Sequence, residues 1–106
     1  MKKNKKRKIP YLKITSNIPY DVSVLISFPE FYNVLYRETL LAIKDGVNSK
    51  KNNVILFDIH GSDYQINLNK ESWIPSLQSI LKYHEGREEF EKCAECINLI
   101  NQLNEN

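Results

Sequence analysis

The sequence is poor in glycine and cysteine and has no long apolar run. Its 106 residues include three glycines and two cysteines, and no glycine-rich phosphate loop, HExxH pattern or carboxylate cluster occurs. Two cysteines three positions apart do not make the disulfide framework of a small secreted protein. No apolar run is long enough to cross a bilayer, and the basic N-terminus lacks the apolar segment of a signal peptide. We therefore expect a cytoplasmic protein without a catalytic site, a cofactor or a membrane contact.

Length and composition indicate one small globular domain. A chain of 106 residues can bury a core without disulfides, and a hydrophobic content of 42% is ordinary for a folded domain. Asparagine, lysine and isoleucine are abundant whereas alanine and glycine are scarce. This bias is typical of AT-rich genomes, and it is the basis for considering a phage protein, which would lie in the host cytoplasm or in the virion.

Positive charge is concentrated at the N-terminus. Of the 15 basic residues, six fall in residues 1–8, so the rest of the chain carries nine basic residues against 13 acidic ones. The six are Lys2, Lys3, Lys5, Lys6, Arg7 and Lys8. Because like charges repel, we expect residues 1–8 to be a disordered arm and residues 9–106 to be the folded domain. The arm could bind nucleic acid through its charge; the alternative is a solubilising tail.

The next part of the chain predicts strands followed by a helix. Alternating apolar residues between positions 11 and 26 are typical of two short strands. Ser27 and Glu30 form a capping box around Pro29, which suits the first turn of a helix, and this helix should stop near Gly46. Its apolar face is wide enough to contact more than the sheet. We predict a protein-interaction surface from the residues that broaden this face, namely Tyr32, Tyr36, Leu40 and Ile43.

The clearest strand signal is a hairpin between residues 54 and 68. Two alternating stretches flank a Gly-Ser dipeptide, and glycine at the first loop position suits a type II′ turn. That turn pairs Phe57 with Ile66. It also pairs Ile55 with Leu68, so that the large apolar residues share one face. Since a shift by one residue would expose all of them, turn and pattern together predict this register.

The C-terminal residues predict two antiparallel helices joined at Gly86. Apolar residues recur with helical spacing on both sides of this glycine, which can adopt positive φ just past a helix end. The first apolar face comprises Trp73, Leu77, Ile80, Leu81 and His84, and the second comprises Phe90, Cys93, Ala94, Ile97, Ile100 and Leu103. With so short a connection the two faces should pack together. We expect Phe90→Ala to cost about 3–5 kcal/mol, as a core truncation does.

The second of these helices carries an aromatic-Glu-x-small-small pattern followed by spaced apolar residues. The pattern is formed by Phe90, Glu91, Cys93, Ala94, Ile100 and Leu103. It resembles the UVR motif, the helical hairpin at the end of the UvrB and UvrC nucleotide-excision repair proteins, over residues 77–103. The Arg-Asp pair of that motif is replaced by Ile97 and Asn98, so its paired charges are lost. The resemblance implies a hairpin that contacts a protein partner, and it names no reaction.

Two further patterns contain residue types that could support chemistry. Cys93 and Cys96 could supply two metal ligands, with His60 and His84 completing the set. The cysteines lie inside a predicted helix, however, and Cys93 lies on its apolar face, where cysteine acts as a small hydrophobe. His60 and Asp63 flank the hairpin turn without a nucleophile nearby, which favours a solvated turn. We therefore predict no metal site and no catalytic residue.

The aromatic residues could form a platform for stacking bases only on a basic sheet face. The sheet face that the pattern assigns is acidic or neutral, so the aromatic residues are interpreted as core and partner contacts. The chain as a whole predicts an α+β fold with a small antiparallel sheet, one helix between strand pairs and a C-terminal antiparallel helical hairpin. The predicted function is a non-enzymatic protein–protein interaction module, accessory to a larger assembly. The alternative is weak, sequence-independent nucleic-acid binding by the N-terminal arm.

Overall fold

The computed structural model describes residues 7–12, 29–61 and 63–105. Their secondary structure consists, in chain order, of β1 (Tyr11–Leu12), α1 (Pro29–Asn48), β2 (Asn53–Ile59), β3 (Gln65–Asn69), a 3₁₀ helix (Lys70–Ser72), α2 (Trp73–Gly86) and α3 (Phe90–Asn104). The fold is α+β and ends in a pair of helices, as predicted. The predicted helix cap at Ser27 and most of the predicted strands between positions 11 and 26 lie outside the described residues.

The described strands form one mixed sheet in the order β1-β2-β3. The β2–β3 hairpin is antiparallel, as predicted, and Gly61 adopts the positive φ of 81° that its turn requires. β1 lies parallel to β2, with Tyr11 opposite Asp58, and the Asp58 N–H donates to the Pro10 carbonyl at 3.0 Å. The sequence predicted hairpin-like pairs only, and this parallel contact is what brings the N-terminal segment onto the sheet.

The hairpin register contains a β-bulge that the sequence did not predict. Phe57 pairs with Ile66, as expected, but Ile55 pairs with Asn67 instead of Leu68 because Leu56 is an extra residue on β2. The bulge breaks the alternation of the strand, so that Leu56 and Phe57 are both buried while Ile55 is only half-buried. The predicted Ile55–Leu68 pair is therefore wrong.

Arg7 binds the backbone at this bulge. One guanidinium nitrogen donates to the Ile55 carbonyl at 2.6 Å, and the other donates to the Leu56 carbonyl at 2.9 Å and to Glu38 at 3.1 Å. The side chains of Arg7 and Glu38 are only 10% and 13% exposed. Arg7 therefore belongs to the folded domain, which corrects its assignment to a disordered arm. Its predicted role in nucleic-acid binding stays a prediction. Lys8 is exposed, and residues 1–6 lie outside the described residues.

The core lies between the sheet and the helices. Its largest fully buried side chains include Trp73, Phe57, Ile43, Leu77 and Ile80. The indole N–H of Trp73 donates to the Leu68 carbonyl at 3.1 Å, which satisfies the polar group of this buried side chain. The apolar face predicted for α2 is confirmed, because Trp73, Leu77 and Ile80 are all buried.

Gly46 lies inside α1 and not beyond its end. A Cβ atom at this position would lie 2.7 Å from Cη2 of Trp73 and 2.7 Å from Cγ1 of Val54, so only glycine allows this packing. The helix ends two residues later in a Schellman motif, in which Lys50 has a φ of 56° and the Lys51 N–H donates to the Gly46 carbonyl at 2.9 Å. The sequence predicted that Gly46 ends the helix. In the structure Gly46 instead allows α1 to pack closely against Trp73 and Val54.

The predicted chain reversal at Gly86 is also displaced. Gly86 is the last residue of α2, and the left-handed conformation is adopted by Glu88, with a φ of 59°. The Glu88 N–H donates to the Glu85 carbonyl at 3.1 Å, and the Glu89 N–H donates to the His84 carbonyl at 3.0 Å. This is again the Schellman pattern, and glutamate occupies the position at which glycine is usual.

The buried face of α3 is rotated from the predicted one. Cys93, Cys96 and Leu99 are buried, whereas Phe90 is 69% exposed and Ile97 is 47% exposed. Two overlapping apolar patterns run along this helix, and the sequence alone does not distinguish the one that faces α2. The predicted core role of Phe90 is therefore wrong, and its truncation removes a surface side chain. Within the described residues no helix has the length and apolarity needed to cross a membrane.

Candidate binding cleft

The interaction surface predicted on α1 is only partly a surface. Leu40 is 3% exposed and Ile43 is fully buried, so both belong to the core rather than to an exposed face of α1. Tyr32 and Tyr36 are half-buried and remain on the outer side of the domain. The structure therefore corrects the prediction for Leu40 and Ile43, because the wide apolar face of α1 is covered by the sheet and by the hairpin helices together.

A row of tyrosines joins α1 to α2. The rings of Tyr32 and Tyr36 are 5.5 Å apart, and those of Tyr36 and Tyr83 are 4.9 Å apart with an edge-on geometry. The Tyr83 hydroxyl donates to the side-chain oxygen of Asn33. Burial, together with the neighbouring phenols, raises the pKa of Tyr36. These contacts connect α1 with α2 and place the Tyr83 ring as a wall of the space beside it.

That space is a cleft of about 340 Å³ between α1 and the α2–α3 hairpin. Its lining comprises Asn33, Arg37, Leu40, Leu41, Lys44, Tyr83, His84, Lys92 and Glu95. Leu41 is one of the exposed large hydrophobic residues of the chain, and with Tyr83 it gives the cleft apolar walls. Arg37 and Lys44 of α1 and Lys92 of α3 place positive charge on both sides of the cleft. The cleft thus combines apolar contact area with positive charge, which suits an acidic ligand that also carries apolar groups.

The cations of the cleft are only partly neutralised. Lys44 lies 3.9 Å from Glu95, and Arg37 lies 3.5 Å from Glu38. Lys92 has no ion-pair partner within the described part of the chain. The three cations face one carboxylate in the lining, so the cleft is net positive although the domain as a whole carries more acidic than basic residues. Such a local field attracts anionic groups over several ångströms.

Sequence reasoning missed this cleft. Arg37, Leu41 and Lys44 recur at helical spacing on one side of α1, and this pattern is visible in the sequence. Lys92 comes from α3, however, and its place beside α1 depends on how the hairpin packs across that helix. Periodicity predicts that a helix has a buried face, but it does not predict which helix lies opposite.

The side chains of His84, Arg87 and Glu89 interact at the connection between α2 and α3, next to the cleft. The Nδ1 atom of His84 lies 2.7 Å from a carboxylate oxygen of Glu89, and the Arg87 guanidinium lies 3.2 Å from the same oxygen and 5.3 Å from the centre of the Tyr83 ring. The hydrogen bond from His84, with a smaller contribution from Arg87, lowers the pKa of Glu89. The positions that His84 and Glu89 occupy in a Schellman motif usually make an apolar contact. In this protein a histidine–carboxylate pair takes the place of that contact.

The two cysteines are free thiols inside the core-facing side of α3. Cys96 is completely buried, and burial raises its pKa to about 11. Burial also raises the pKa of Cys93. A raised pKa keeps a thiol protonated and unreactive, whereas metal binding and redox chemistry require the thiolate. The structural interpretation of the pair as small hydrophobic residues fits this geometry.

Each histidine has a contact partner other than the cysteines. His60 lies at the end of β2 with its ring edge-on to Tyr11, at 6.0 Å between centroids, and His84 is held by Glu89. In residues 7–12, 29–61 and 63–105, no three histidine, cysteine, aspartate or glutamate side chains form a group that could hold a metal ion. The predicted nucleic-acid-binding residues Lys2, Lys3, Lys5 and Lys6 lie outside the described residues.

Comparisons with protein-family models, with curated proteins and with solved structures gave no match to this chain. The likeness of residues 77–103 to the UVR motif stays a prediction.

Proposed function

We propose that this protein is a non-enzymatic protein–protein interaction module, an accessory subunit of a larger assembly in the cytoplasm or in a virion. Its partner supplies an acidic segment with apolar residues, which binds in the cleft between α1 and the α2–α3 hairpin. The observation that carries this proposal is that one cavity combines the exposed Leu41 and the Tyr83 ring with Lys92, a cation that has no ion-pair partner among the described residues.

The chemistry of the cleft favours a peptide segment as its occupant. Buried aromatic and aliphatic contacts supply most of the affinity of a protein interface, whereas charges at the rim mainly supply specificity and association rate. Leu41 and Tyr83 provide the first kind of contact, and Lys92 provides the second. The partner segment should therefore place aspartate or glutamate next to leucine, isoleucine or phenylalanine.

Selection of a peptide-display library on the purified protein tests this proposal directly. Acidic peptides with adjacent apolar residues should be enriched, and their addition to isotope-labelled protein should shift the amide resonances of α1 near Leu41 and of α3 near Lys92. Enrichment of basic peptides, or resonance shifts confined to the exposed Phe90 and Ile97 side of α3, would contradict the proposal.

Charge reversal provides the quantitative test. Lys92→Glu should weaken binding of a selected acidic peptide roughly tenfold, because attraction at the rim becomes repulsion. Lys82→Glu is the matched control, since Lys82 is an exposed lysine of α2 outside the cleft lining and the change in net charge is the same. Equal weakening by both variants would show that net charge, and not the cleft, determines binding.

A further inference from the structure

β3 is an edge strand of the described sheet. Within residues 7–12, 29–61 and 63–105 the strand order is β1-β2-β3, so β3 has a neighbouring strand on one side only. The Tyr64 carbonyl accepts from the Ile59 N–H at 3.0 Å, and the Lys70 N–H donates to the Asn52 carbonyl at 2.9 Å. Backbone groups alternate between the two edges of a strand, so those of residues 65, 67 and 69 face away from β2. We refer to these three residues, Gln65, Asn67 and Asn69, as the outer edge.

The outer edge lacks the features that usually keep a strand from pairing with another chain. Proteins protect exposed edges with proline, with lysine or other charges, or with very short strands. β3 is five residues long, and its sequence QINLN contains neither proline nor a charged residue. All three outer-edge residues are exposed, as the approach of another strand requires. β1, at the opposite edge, has only two residues.

The sequence of β3 is self-complementary in an antiparallel arrangement. A twofold axis at Asn67 pairs Asn67 with itself and Gln65 with Asn69 of a second copy, so each outward backbone group meets an outward partner. A side-chain amide carries both a donor and an acceptor, so these pairs meet without repulsion. The charged residues closest to the strand on each side, Asp63 and Lys70, have opposite signs. The same register places each of them beside its counterpart of opposite charge in the second copy.

The apolar side of β3 also gains contact in this arrangement. Ile66 and Leu68 are half-buried and pack against the core. The twofold axis sets Ile66 of one copy opposite Leu68 of the other, with about 4.5–5.5 Å between the Cβ atoms. Leu68 also lines a groove of about 260 Å³ between α1 and α2, in which Leu35 and Ile80 are neighbours and no lining residue is charged. Ile66 of the second copy therefore lies next to an uncharged groove that suits its side chain.

We propose that two copies of this protein associate through the outer edge and join their described strands into one continuous sheet about a twofold axis at Asn67. Addition of a strand to an open sheet edge is a common mode of protein association. No residue of β3 lines the cleft between α1 and the α2–α3 hairpin, so the dimer carries two separate clefts and does not depend on the proposed peptide binding. A contact along five residues buries less than the roughly 800 Å² per partner of a standard interface. We therefore expect a dissociation constant in the micromolar to millimolar range.

Sedimentation velocity of the full-length protein over a range of concentrations tests the association. The apparent mass should rise from the 12.5 kDa of the monomer towards twice that value. Asn67→Lys sets two lysines against each other at the axis and should weaken dimerisation roughly tenfold. Asn98→Lys is the matched control, because it makes the same change at an exposed residue of α3, and it should dimerise like the wild type. Circular dichroism melts check that both variants are folded.

Amide hydrogen exchange of the wild type, followed by NMR, locates the contact without a variant. The N–H groups of the outer edge should exchange more slowly in concentrated than in dilute solution. The Ile66 N–H faces β2 and should exchange at the same rate in both. This alternation along β3 distinguishes strand pairing from a contact through side chains.

Four results would overturn the proposal. They are a wild type that stays monomeric at millimolar concentration, equal weakening of the dimer by Asn67→Lys and Asn98→Lys, and slower exchange confined to the exposed Phe90 and Ile97 side of α3. The fourth is slower exchange at the outer edge only when an acidic peptide selected on the cleft is added, which would assign this edge to a peptide partner instead of a second copy.

Discussion

Replacement of Arg7 by methionine should destabilise the domain strongly, although Arg7 belongs to a run of lysines. Methionine keeps much of the length and apolar bulk of arginine but removes the guanidinium. That change leaves the Ile55 and Leu56 carbonyls without a donor and Glu38 without its closest cation. Removing one partner of a buried ion pair costs about 3–5 kcal/mol. Because both side chains retain about a tenth of their exposure, we expect a loss of about 3 kcal/mol, at the lower end of that range.

The assay is urea unfolding followed by the fluorescence of Trp73, the single tryptophan of the chain, which is buried in the core. Lys8→Met is the matched control, because Lys8 is exposed and the change in charge is the same. The control should lie within about 0.5 kcal/mol of the wild type, as surface substitutions usually do. Equal stability of the two variants would refute the placement of Arg7 at the bulge.

A double-mutant cycle then isolates the ion pair. Glu38→Gln keeps a hydrogen-bond acceptor but removes the charge that faces Arg7. The cost of Arg7→Met should be smaller in this background, since residues in one network are not additive. A cost that stays the same would assign the stabilisation to the bonds with the two carbonyls alone.

Three other predictions concern packing, backbone strain and thiol chemistry. Gly46→Ala should lower the free energy of unfolding by about 1–3 kcal/mol, because the steric clash of the new Cβ with Trp73 outweighs the gain in helix propensity. A melting temperature that calorimetry finds unchanged or raised would contradict this packing. Glu88→Gly should stabilise by about 0.5–1 kcal/mol by relieving the left-handed backbone, and Glu88→Ala, which keeps the strain, should bring no gain in the same measurement. Cys93 and Cys96 should resist iodoacetamide at neutral pH until urea unfolds the chain, with mass spectrometry as the readout, and rapid alkylation of the native protein would show that the thiols are accessible.

Helical periodicity predicts much of the C-terminal part of this fold. Trp73, Leu77 and Ile80 recur with helical spacing, and all three are buried. The face of α3 is ambiguous because Phe90 and Cys96 belong to overlapping patterns of similar apolarity. The position of α2 relative to α3 decides which of the two patterns is buried, and that position depends on tertiary packing.

The errors in the sheet and at the N-terminus have a common origin. The β-bulge at Leu56 inserts one residue into a strand, and the local alternation looks the same with or without it. Arg7 differs from its lysine neighbours only in its planar guanidinium, which can donate to two adjacent carbonyls at once. Neither feature has a local signal, since each involves residues that are distant in the chain. The cleft on α1 is unpredictable for a similar reason, because Lys92 reaches it only through packing.

The contacts of Arg7 have a kinetic consequence. They join residues 48 and 49 positions apart in the chain, whereas the β2–β3 and α2–α3 hairpins form from neighbouring segments. Contacts between distant residues require the closure of long loops and tend to form late in folding. The N-terminal segment should therefore dock onto a sheet and hairpin that already exist, so that loss of the guanidinium accelerates unfolding and leaves the folding rate nearly unchanged. In stopped-flow experiments the domain would then open at this edge first, which makes Arg7 a determinant of lifetime as well as of equilibrium stability.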